Sequence, residues 1–347
     1  MLKNIIERKD AFIIAEVGQN HQGDLEKARE YIRIFAFEGA DAIKFQTRNN
    51  RYLFSDEAYK KNYDSENAFA ETYGAHREKL ELKTEWLPIL KEDCEKYNVK
   101  FMSTPFDEPS LEVLRQVDVD LIKLASFDLG NLPFVNRVAN LGKPTVMSIG
   151  GGKLSQIKAS IEILLSKKVE IAILHCVSEY PCEYNRLGLS NISTLQKEFP
   201  ECLIGLSDHF NGTLSGPIAY MNGAQVFEKH VTLNRSWRGT DHSFALEPTG
   251  FRKFVRDIKR VKHMMPLKDS SDLGNEKVFK KLGKSLVAYQ DLVKGDQLTL
   301  DKLSGRIFTN NENLIPVRDS LNVIGKFINS DIKKGCPIKI DNLEKIK

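Results

Sequence analysis

The chain has 347 residues, of which 41% are hydrophobic and 28% are charged, and its formal net charge is +4. These values are typical of a folded globular protein, and they exclude a mainly disordered chain and a collagen-like one. No run of five like charges suggests a nucleic-acid-binding arm, and no stretch of about 18 apolar residues could span a bilayer. We therefore expect neither a nucleic-acid partner nor a membrane partner.

The start of the chain and its cysteines predict a cytoplasmic protein. The first residues, MLKNIIERKDAF, lack the apolar core of a signal peptide. The five cysteines are odd in number and share no CxxC spacing, which disfavours a disulfide framework and a zinc knuckle. We expect reduced, mostly structural cysteines.

Short apolar segments with β-branched residues recur between residues 12 and 232, and most are followed by a stretch with helical spacing. Strands that alternate with helices form a parallel sheet, and a count of eight favours a (β/α)₈ barrel over an open doubly wound sheet. No Gly-x-Gly-x-x-Gly turn follows the first segment, which disfavours a dinucleotide-binding fold. The predicted strands are 12–18, 42–47, 100–106, 121–127, 145–150, 170–178, 203–209 and 224–232.

Every predicted strand is apolar at its start and polar or charged near its carboxyl end. The carboxyl ends of the strands form the catalytic face of such a barrel, so we expect these side chains around one site. Strand capping could explain any single one of them, but it is a poor explanation for all eight ends together. The polar residues are Glu16, Lys44, Gln46, Thr104, Lys123, Ser126, Ser148, His175, Ser178, Ser207, His209, Glu228 and His230.

A segment rich in charged and aromatic residues, 48–85, lies between the second and third predicted strands. It leaves the expected catalytic face, and we interpret it as a lid or as a wall of the substrate site. A solvated surface excursion is the alternative. Four cations in or beside it, Arg48, Lys60, Lys61 and Arg77, could hold a phosphate of the acceptor or could be ordinary surface charges.

The sequence pattern changes after about residue 265. The polar segment 266–282 is interpreted as a linker, which leaves a barrel domain over 1–265 and a small β-rich domain over 283–347. The small domain contains an internal repeat, because residues 291–303 match residues 331–343 with a Lys-Gly turn in each copy. At about 65 residues this domain is marginal alone, so we expect it to lean on the barrel or on a second subunit.

Two histidines, His209 and His230, end consecutive predicted strands. Neighbouring strands lie about 4.8 Å apart, so two imidazoles at equal height could hold one ion between them. Two histidines without a third protein ligand leave coordination positions open for water and substrate, which suits a Lewis acid better than a structural zinc. Imidazole with oxygen ligands is compatible with manganese, magnesium or cobalt.

Two carboxylates are expected beside this ion. Glu228 precedes His230 by two positions and shares its face of the strand, so it could orient a bound water or hydroxyl, or pair with a buried lysine instead. Asp241 follows the last predicted strand, where it could bind sugar hydroxyls or form an Asx turn.

A pair of lysines among hydroxyl groups predicts a second part of the site. Two ammonium groups with several hydroxyls could bind a small phosphorylated carboxylate, because charge-assisted contacts are strongest where water is excluded. Schiff-base chemistry at a lysine is the competing interpretation. The residues are Lys44 and Lys123 with Thr104, Ser126, Ser148 and Ser207.

The sequence resembles the N-acetylneuraminate (sialic acid) synthase family across nearly its whole length. The similar motifs, in order, are AEVGQNHQGD, IKFQ, STPFD, IKLAS, LHCVSEYP, GLSDH, EKHVTL and GTDHSFALEP. The tail resembles that family's antifreeze-like (SAF) domain. TYGAHR and TLNRSWRGTDHS are most similar to the branch that includes animal-type sialic acid synthases. The resemblance therefore implies a TIM barrel followed by a small β-rich SAF domain.

The same resemblance implies a transferase that condenses phosphoenolpyruvate with an N-acetylated amino-sugar aldehyde, of the N-acetylmannosamine or 6-phosphate type, to give a sialic acid and phosphate. It implies Mn²⁺ or Mg²⁺ on His209 and His230, with Glu16 and Glu228 near the reacting atoms. The implied ligands of phosphoenolpyruvate are Lys44, Thr104, Lys123, Ser126, Ser148 and Ser207, and those of the amino sugar are Asp128, Tyr180 and Asp241.

Family members are domain-swapped homodimers, in which the tail of one subunit covers the barrel mouth of the other and supplies an arginine. Arg306 is the positional match for that arginine, although its surroundings, GRIFTNNENLIP, differ from the family's proline- and glycine-rich context. A second departure is SIGGG at 148–152, where the family commonly has Ser-Thr-Gly-Met. The loss of a hydroxyl and a methionine there leaves the exact acceptor sugar open.

Two other functions are compatible with the sequence. One is a different phosphoenolpyruvate-dependent synthase, making pseudaminic acid, legionaminic acid or another 3-deoxy-ulosonate. The other is a non-catalytic carbohydrate-binding protein, with binding carried by the tail domain. The polar residues at all eight strand ends oppose this last function.

Overall fold

The computed structural model describes residues 11–273 and 275–344 of the chain. Its Cα positions divide the chain into two compact units, Met1–Met265 and Pro266–Lys347. No helix within the described ranges is both long and apolar enough to cross a membrane.

The first unit is built on eight parallel strands that close into a barrel. Each strand pairs with the next one along the chain, and the last pairs with the first, where Glu16 lies opposite His230. The predicted (β/α)₈ barrel is confirmed. The strands are β1 (Phe12–Gly18), β2 (Ala42–Thr47), β3 (Lys100–Pro105), β4 (Leu121–Leu124), β5 (Thr145–Ser148), β6 (Ile171–Cys176), β7 (Leu203–Asp208) and β8 (Val226–His230).

Helices follow the strands, and side-chain caps fix where several of them begin. The carboxylate of Asp24 accepts from the backbone N–H of Lys27, and that of Asp107 accepts from Ser110. Such a cap contributes about 1 kcal/mol to helix stability. The helices of this unit are α1 (Leu25–Phe37), α2 (Asn50–Leu53), α3 (Asp56–Lys60), α4 (Tyr73–Leu80), α5 (Leu87–Lys96), α6 (Glu108–Val117), α7 (Leu132–Asn140), α8 (Leu154–Ser166), α9 (Asn191–Glu198), α10 (Ser215–Met221) and α11 (Pro248–Met264), with 3₁₀ turns at Thr84–Trp86, Ser126–Asp128 and Tyr184–Arg186.

Apolar side chains fill the interior of the barrel. Alternate residues of a strand point to opposite faces, so every second position faces inward and the others, such as Ile13 and Phe45, pack against the helices. Burying one such aliphatic side chain contributes roughly 1.5–3 kcal/mol. The inward residues are Phe12, Ile14, Ala42, Met102, Leu121, Val146, Ala172, Leu174, Leu203 and Val226.

One inward position, Gly205 of β7, has no room for a side chain. A Cβ atom there would lie 2.0 Å from the carbonyl oxygen of Val226 and 2.6 Å from the side chain of Leu174. The glycine therefore allows β7 to lie close to its neighbours just below the residues at its carboxyl end.

The second unit carries a two-stranded antiparallel sheet, formed by β9 (Lys284–Ala288) and β10 (Leu303–Ile307). A short helix, α12 (Lys277–Leu282), precedes the sheet. The unit also contains 3₁₀ turns at Ser270–Asp272, Leu300–Lys302, Val317–Asn322 and Ile340–Asn342. Its own apolar core consists of Leu286, Ala288, Leu292, Leu298, Ile315, Val323, Ile328, Ile332 and Ile338.

The two copies of the internal repeat contact each other through equivalent residues. Leu292 pairs with Ile332 in an antiparallel bridge. The carboxylate of Asp331 accepts from the backbone N–H of Lys294 at 2.8 Å, and the carboxylate of Asp291 accepts from that of Lys334 at 2.7 Å. Because positions 291 and 331 are equivalent in the repeat, the contacts are reciprocal.

Acid is expected to destabilise the barrel through one buried histidine, His21. Burial lowers its pKa from 6.5 to about 3, and its Nδ1 atom accepts from the backbone N–H of Gly23 at 3.0 Å, which requires a neutral ring. The unfolded chain binds a proton below pH about 6.5, whereas the folded chain does not. The free energy of unfolding should therefore fall as the pH drops below 6.5, by up to about 1.4 kcal/mol per pH unit from this residue.

Urea unfolding at pH 7, 6 and 5 measures this dependence. We expect His21→Gln to flatten the profile, and His263→Gln, which changes an exposed histidine of α11, to leave it unchanged. A His21→Gln profile as steep as that of the wild type would contradict the prediction.

Candidate active site

A cavity of about 820 Å³ opens at the carboxyl ends of the barrel strands, and all eight strands contribute to its lining. Most of the residues predicted for the site line this cavity, but Asp128, His175 and Ser178 do not, and Arg306 belongs to the second unit. Those that line it are Glu16, Lys44, Gln46, Thr104, Lys123, Ser126, Ser148, Tyr180, Ser207, His209, Glu228, His230 and Asp241.

Strand alternation brings these side chains to one place. Glu16 lies two residues beyond Ile14, and Lys123 lies two residues beyond Leu121, so each continues an inward-facing row of the barrel interior. The apolar interior thus ends in a polar layer, and that layer lines the cavity.

Two lysines and two glutamates form a buried ionic cluster in the cavity. The ammonium of Lys44 lies 2.7 Å from the carboxylate of Glu16 and 3.7 Å from that of Glu228. Lys123 lies 3.6 Å from the other oxygen of Glu228. All four side chains are at most 5% exposed, so water screens these charges weakly.

The ionic cluster gives the carboxyl groups of Glu16 and Glu228 different pKa values. Burial raises the pKa of Glu16 to about 7, more than Lys44 lowers it, and the charge of Glu228 raises it further. Burial also acts to raise the pKa of Glu228, but Lys123 and Lys44 together lower it to about 2. Glu228 is therefore ionised at neutral pH, while Glu16 can gain or lose a proton there.

Hydroxyl groups surround the ionic cluster. Thr104 accepts from Lys44 at 3.2 Å, and Ser207 donates to Glu228 at 3.3 Å. Ser126 accepts from the backbone N–H of Gly150 at 3.0 Å. The hydroxyl of Ser148 is buried and has no hydrogen-bond partner within the described chain. Cations and hydroxyls are thus available for an anionic ligand.

His209 and His230 lie side by side at the same cavity, with ring centroids 5.3 Å apart. The Nδ1 atom of His209 lies 2.8 Å from the carbonyl oxygen of Val177. A carbonyl only accepts, so this Nδ1 carries a proton and Nε2 is the ring nitrogen that could bind a metal ion. Burial lowers the pKa of His230, which favours the neutral ring, and its buried Nδ1 atom has no hydrogen-bond partner within the described chain.

This donor set fits a metal ion with an open coordination sphere. Neutral imidazoles with free lone pairs are the form that binds a divalent cation. No group of three or more His, Cys, Asp or Glu residues in 11–273 and 275–344 is arranged to hold a metal ion. The histidine pair could therefore hold a metal only if other ligands, such as water or substrate, completed its coordination.

Aromatic and acidic residues border the histidines. The ring of Tyr180 lies 4.0 Å from that of His209, and the ring of Phe244 lies 5.1 Å from that of His230. The carboxylate of Asp241 lies 3.9 Å from Nδ1 of His230 and accepts from the hydroxyl of Thr240. A ligand beside the histidines would meet an apolar ring on one side and a carboxylate on another.

The insert 48–85 forms part of the cavity wall through Leu53, Phe54, Asn67, Tyr73 and Arg77. Arg77 donates to the side chain of Gln19 at 2.7 Å, and Gln19 donates to Thr240 at 2.8 Å. The insert is therefore linked by hydrogen bonds to the loops after β1 and β8. Of the other cations considered there, Arg48 also lines the cavity and pairs with Glu81 at 3.0 Å, whereas Lys60 and Lys61 are exposed.

Asp128 does not line the cavity, and Arg306 belongs to the second unit. Asp128 ends the 3₁₀ turn that begins at Ser126, and its carboxylate accepts from Asn131 at 3.1 Å. Arg306 lies exposed on β10 of the second unit, opposite Ser285 in the sheet. A role for either residue in the site stays a prediction.

Sequence reasoning missed Cys176, which lines the cavity where His175 was expected. His175 points away from the cavity and contacts the carbonyl oxygen of Leu187 at 2.6 Å. Burial acts to raise the pKa of the Cys176 thiol, but His209 and Lys123 lower it below its usual value. The alternation of side chains along β6 could have predicted this, because Leu174 faces inward and Cys176, two residues later, must face inward too.

Known proteins resemble this chain over most of its length. The NeuB family model matches residues 31–269. The N-acetylneuraminate-9-phosphate synthase of Homo sapiens is 34% identical over 316 residues, which cover 91% of this chain and 88% of that protein. The N,N'-diacetyllegionaminic acid synthase of Campylobacter jejuni is 34% identical over 294 residues, which cover 83% of this chain and 87% of that protein.

A solved structure agrees with these relatives. The N-acetylneuraminic acid (sialic acid) synthetase of Leptospira borgpetersenii, in complex with citrate, superposes with a TM-score of 0.68 at 32% identity. The match covers 76% of this chain and 89% of that one. With a family model spanning more than half of its residues and relatives above 30% identity over most of its length, the chain belongs to the NeuB family.

Proposed function

We propose that the chain condenses phosphoenolpyruvate with the open-chain aldehyde of N-acetylmannosamine or its 6-phosphate, giving N-acetylneuraminate or its 9-phosphate and inorganic phosphate. The observation that carries the proposal is one cavity in which a buried lysine pair, ringed by hydroxyls, lies beside a histidine pair. Relatives named as synthases of this class, at 34% identity, support it.

We assign the metal site to His209 and His230. The Nδ1 atom of His230 has no hydrogen-bond partner within the described chain, and the contact of His209 with Val177 through Nδ1 leaves Nε2 as its nitrogen for a divalent cation. A bound Mn²⁺, or Mg²⁺ or Co²⁺ in its place, would polarise the sugar aldehyde and stabilise the alkoxide that develops on it. The remaining coordination positions would be filled by water and substrate.

The lysine pair is assigned to phosphoenolpyruvate. Lys44 and Lys123 supply the positive charge for its phosphate and carboxylate, and charge-assisted hydrogen bonds of this kind are about twice as strong as neutral ones. The buried, unpartnered hydroxyl of Ser148 is a donor available to a phosphate oxygen. The other hydroxyls of the proposed pocket come from Thr104, Ser126 and Ser207.

The two carboxylates are assigned different roles. The C2–C3 double bond of phosphoenolpyruvate supplies the electron pair for the bond from C3 to the aldehyde carbon, and the aldehyde oxygen becomes an alkoxide that takes up a proton. Water adds at C2 with loss of a proton, and the C2–O bond to phosphate then breaks to leave a C2 ketone and inorganic phosphate. Glu16, with a pKa of about 7, is suited to take the proton of the attacking water. Glu228 stays ionised between the lysines and holds them in place, and its charge favours the positive character that develops at C2.

The amino sugar is assigned to the side of the cavity that contains Asp241 and Tyr180. A carboxylate accepts two sugar hydroxyls, and the ring of Tyr180 offers an apolar face for the acetamido group. Asp128 is retained as a third contact, although it would have to reach the sugar from beyond Ser126.

We further propose that residues 283–347 form an antifreeze-like SAF module, preceded by the linker 266–282, and that the protein is a cytoplasmic, domain-swapped homodimer. In that dimer, Arg306 of one subunit would act at the cavity of the other. Mixing inactive His209→Ala and inactive Arg306→Ala proteins tests this assignment, because hybrid dimers would keep one intact site. A mixture that stays inactive would contradict the exchange of Arg306.

The second candidate function is the synthesis of legionaminic or pseudaminic acid. A legionaminic acid synthase is as similar to this chain, at 34%, as an N-acetylneuraminate-9-phosphate synthase. The alternatives differ only in the acceptor, so the cavity chemistry described above serves both.

One panel of assays separates these functions. Phosphoenolpyruvate is incubated with N-acetylmannosamine, its 6-phosphate and diacetamido hexoses, and both phosphate release and product mass are measured. We expect condensation with one of the two N-acetylmannosamine compounds. Activity confined to diacetamido hexoses would support the alternative, and the absence of any condensation product would refute the proposed function.

A methyl group at Gly150 is expected to damage the phosphoenolpyruvate pocket. A Cβ atom there would lie 2.3 Å from the hydroxyl of Ser178 and 3.1 Å from that of Ser126. Displacing reacting groups by about 1 Å can lower a rate about a hundredfold, so Gly150→Ala should reduce kcat/KM for phosphoenolpyruvate roughly 10- to 100-fold.

Gly151→Ala is the matched control for this steady-state measurement. A Cβ atom at Gly151 meets no atom within 4 Å, but its φ of +73° strains any other residue by roughly 1–2 kcal/mol. That variant should melt at a lower temperature with unchanged kcat/KM. Equal kinetics in the two variants would show that Gly150 does not shape the pocket.

A further inference from the structure

Lys229 of β8 is a fully buried lysine with no part in the substrate contacts assigned above. Its side chain is 0% exposed, and its ammonium lies 2.6 Å from the equally buried carboxylate of Asp208 at the end of β7. Strand alternation directs it away from the cavity, because Glu228 and His230 on either side of it line the cavity. Burying such an ion pair costs several kcal/mol in lost hydration for each ion.

The contacts of Lys229 lie on both sides of His209. Its ammonium donates to the carboxylate of Asp208, the residue before His209, and to the carbonyl oxygen of Phe210, the residue after it. Lys229 is itself the residue before His230. The Lys229 ammonium therefore connects the residues on both sides of His209, just after β7, to the strand β8, next to His230.

The same carboxylate fixes the loop that follows His209. One oxygen of Asp208 accepts from the backbone N–H of Phe210 at 3.0 Å, and the other accepts from the hydroxyl of Ser215 at the start of α10. The carbonyl of His209 in turn accepts from the backbone N–H of Cys182 at 3.0 Å. Hydrogen bonds thus hold the chain at His209 itself and at the residues before and after it.

A purely stabilising role explains this arrangement poorly. Well-packed apolar residues of similar volume stabilise a core as well as a buried ion pair does, or better. Directed hydrogen bonds to two fixed oxygens do something that apolar packing does not, because they set the position of one strand end relative to the next. That position determines how far apart the two imidazoles lie.

We propose that Lys229 is a positioning residue that holds His209 and His230 at the separation at which they share one divalent cation. The role rests on the metal site proposed above. Residues that orient metal ligands typically change metal affinity 10- to 100-fold when they are replaced. Lys229 is assigned to that class, acting through the backbone of His209 and not through contact with the ion.

The test measures Mn²⁺ binding to the metal-stripped, full-length protein by isothermal titration calorimetry. We expect Lys229→Met to bind Mn²⁺ at least tenfold more weakly than the wild type, and Lys229→Arg to recover most of the affinity. Lys91→Met is the matched control, because Lys91 of α5 also donates to two atoms, the carbonyl oxygens of Val117 and Asp118, but contacts neither β7 nor β8. It should bind Mn²⁺ like the wild type.

A double variant keeps the test decisive if Lys229→Met leaves Asp208 as a destabilising lone charge. Asp208→Asn with Lys229→Met removes both charges but keeps a side-chain oxygen that can accept from the backbone N–H of Phe210. This double variant should be more stable than Lys229→Met and still bind Mn²⁺ at least tenfold more weakly than the wild type. Wild-type affinity in this folded double variant would overturn the proposal.

Hydrogen exchange separates this inference from the proposed metal site. Amides of residues 208–212 should exchange faster in Lys229→Met than in the wild type, whether or not a metal is bound. A wild type that binds no Mn²⁺ would refute the metal site itself, and faster exchange would then still support the positioning of His209. Unchanged exchange in a folded Lys229→Met protein would refute the role of Lys229.

Discussion

Alanine at His209 or His230 is expected to lower the rate of condensation at saturating substrate about a thousandfold. The two imidazoles are the protein ligands that we assign to the metal, and a single remaining imidazole cannot hold it beside the aldehyde. A thousandfold loss corresponds to about 4 kcal/mol of transition-state stabilisation, a plausible contribution for a Lewis acid at a developing alkoxide. The measurement is initial-rate phosphate release at several Mn²⁺ concentrations.

His175→Ala is the matched control, because His175 also lies near the carboxyl end of a barrel strand but faces away from the cavity. Its rate should stay within about tenfold of the wild type, with any loss coming from altered packing near Leu187. Full metal-dependent activity in His209→Ala and His230→Ala would refute the assignment of the metal site.

Methionine at Lys44 is expected to lower kcat/KM for phosphoenolpyruvate at least a hundredfold and to destabilise the barrel by about 3–5 kcal/mol. The activity is lost because a charge-assisted donor to the substrate disappears. The stability is lost because Glu16 and Glu228 are left buried with Lys123 as the remaining cation of the cluster. Steady-state kinetics and urea unfolding measure the two effects.

A second substitution separates the two effects. Lys44→Met with Glu16→Gln removes one charge of each sign, so much of the stability should return while the activity stays low. Activity within tenfold of the wild type in either variant would contradict the binding role of Lys44. A borohydride-trapped adduct on a lysine would instead support the competing Schiff-base chemistry.

The barrel could be predicted from the sequence because hydrophobic alternation and strand count are local signals. The strand ends were less predictable. β4 was predicted to reach residue 127 but ends at Leu124, because the chain turns into a 3₁₀ helix at Ser126. Polar residues near a strand end face the cavity whether or not they still pair with the neighbouring strand. The sequence therefore does not show at which residue the strand pairing ends.

The part of the site that depends on which residues of a strand face inward could be predicted from the sequence. The part that depends on the paths of the loops could not. Glu16 and Lys44 continue inward rows, so their meeting follows from the barrel alone. Asp128 falls outside the cavity lining because one 3₁₀ turn redirects it. Gln19 lies in the loop after β1 and Arg77 lies in α4, 58 residues further along the chain, and no local pattern predicts their contact.

The reciprocal hydrogen bonds between the two repeats of the second unit make the repeats mutually dependent for folding. A fragment that ends between the copies would lose the carboxylate of Asp331, which accepts from the backbone N–H of Lys294. It would also lose Ile332 and Ile338 from the shared core. Single-repeat fragments should therefore be unfolded and rapidly cleaved by proteases, while the intact pair melts cooperatively. The contacts between the two repeats have the symmetry of an isologous interface, in which residue i contacts residue j and the equivalent of j contacts the equivalent of i.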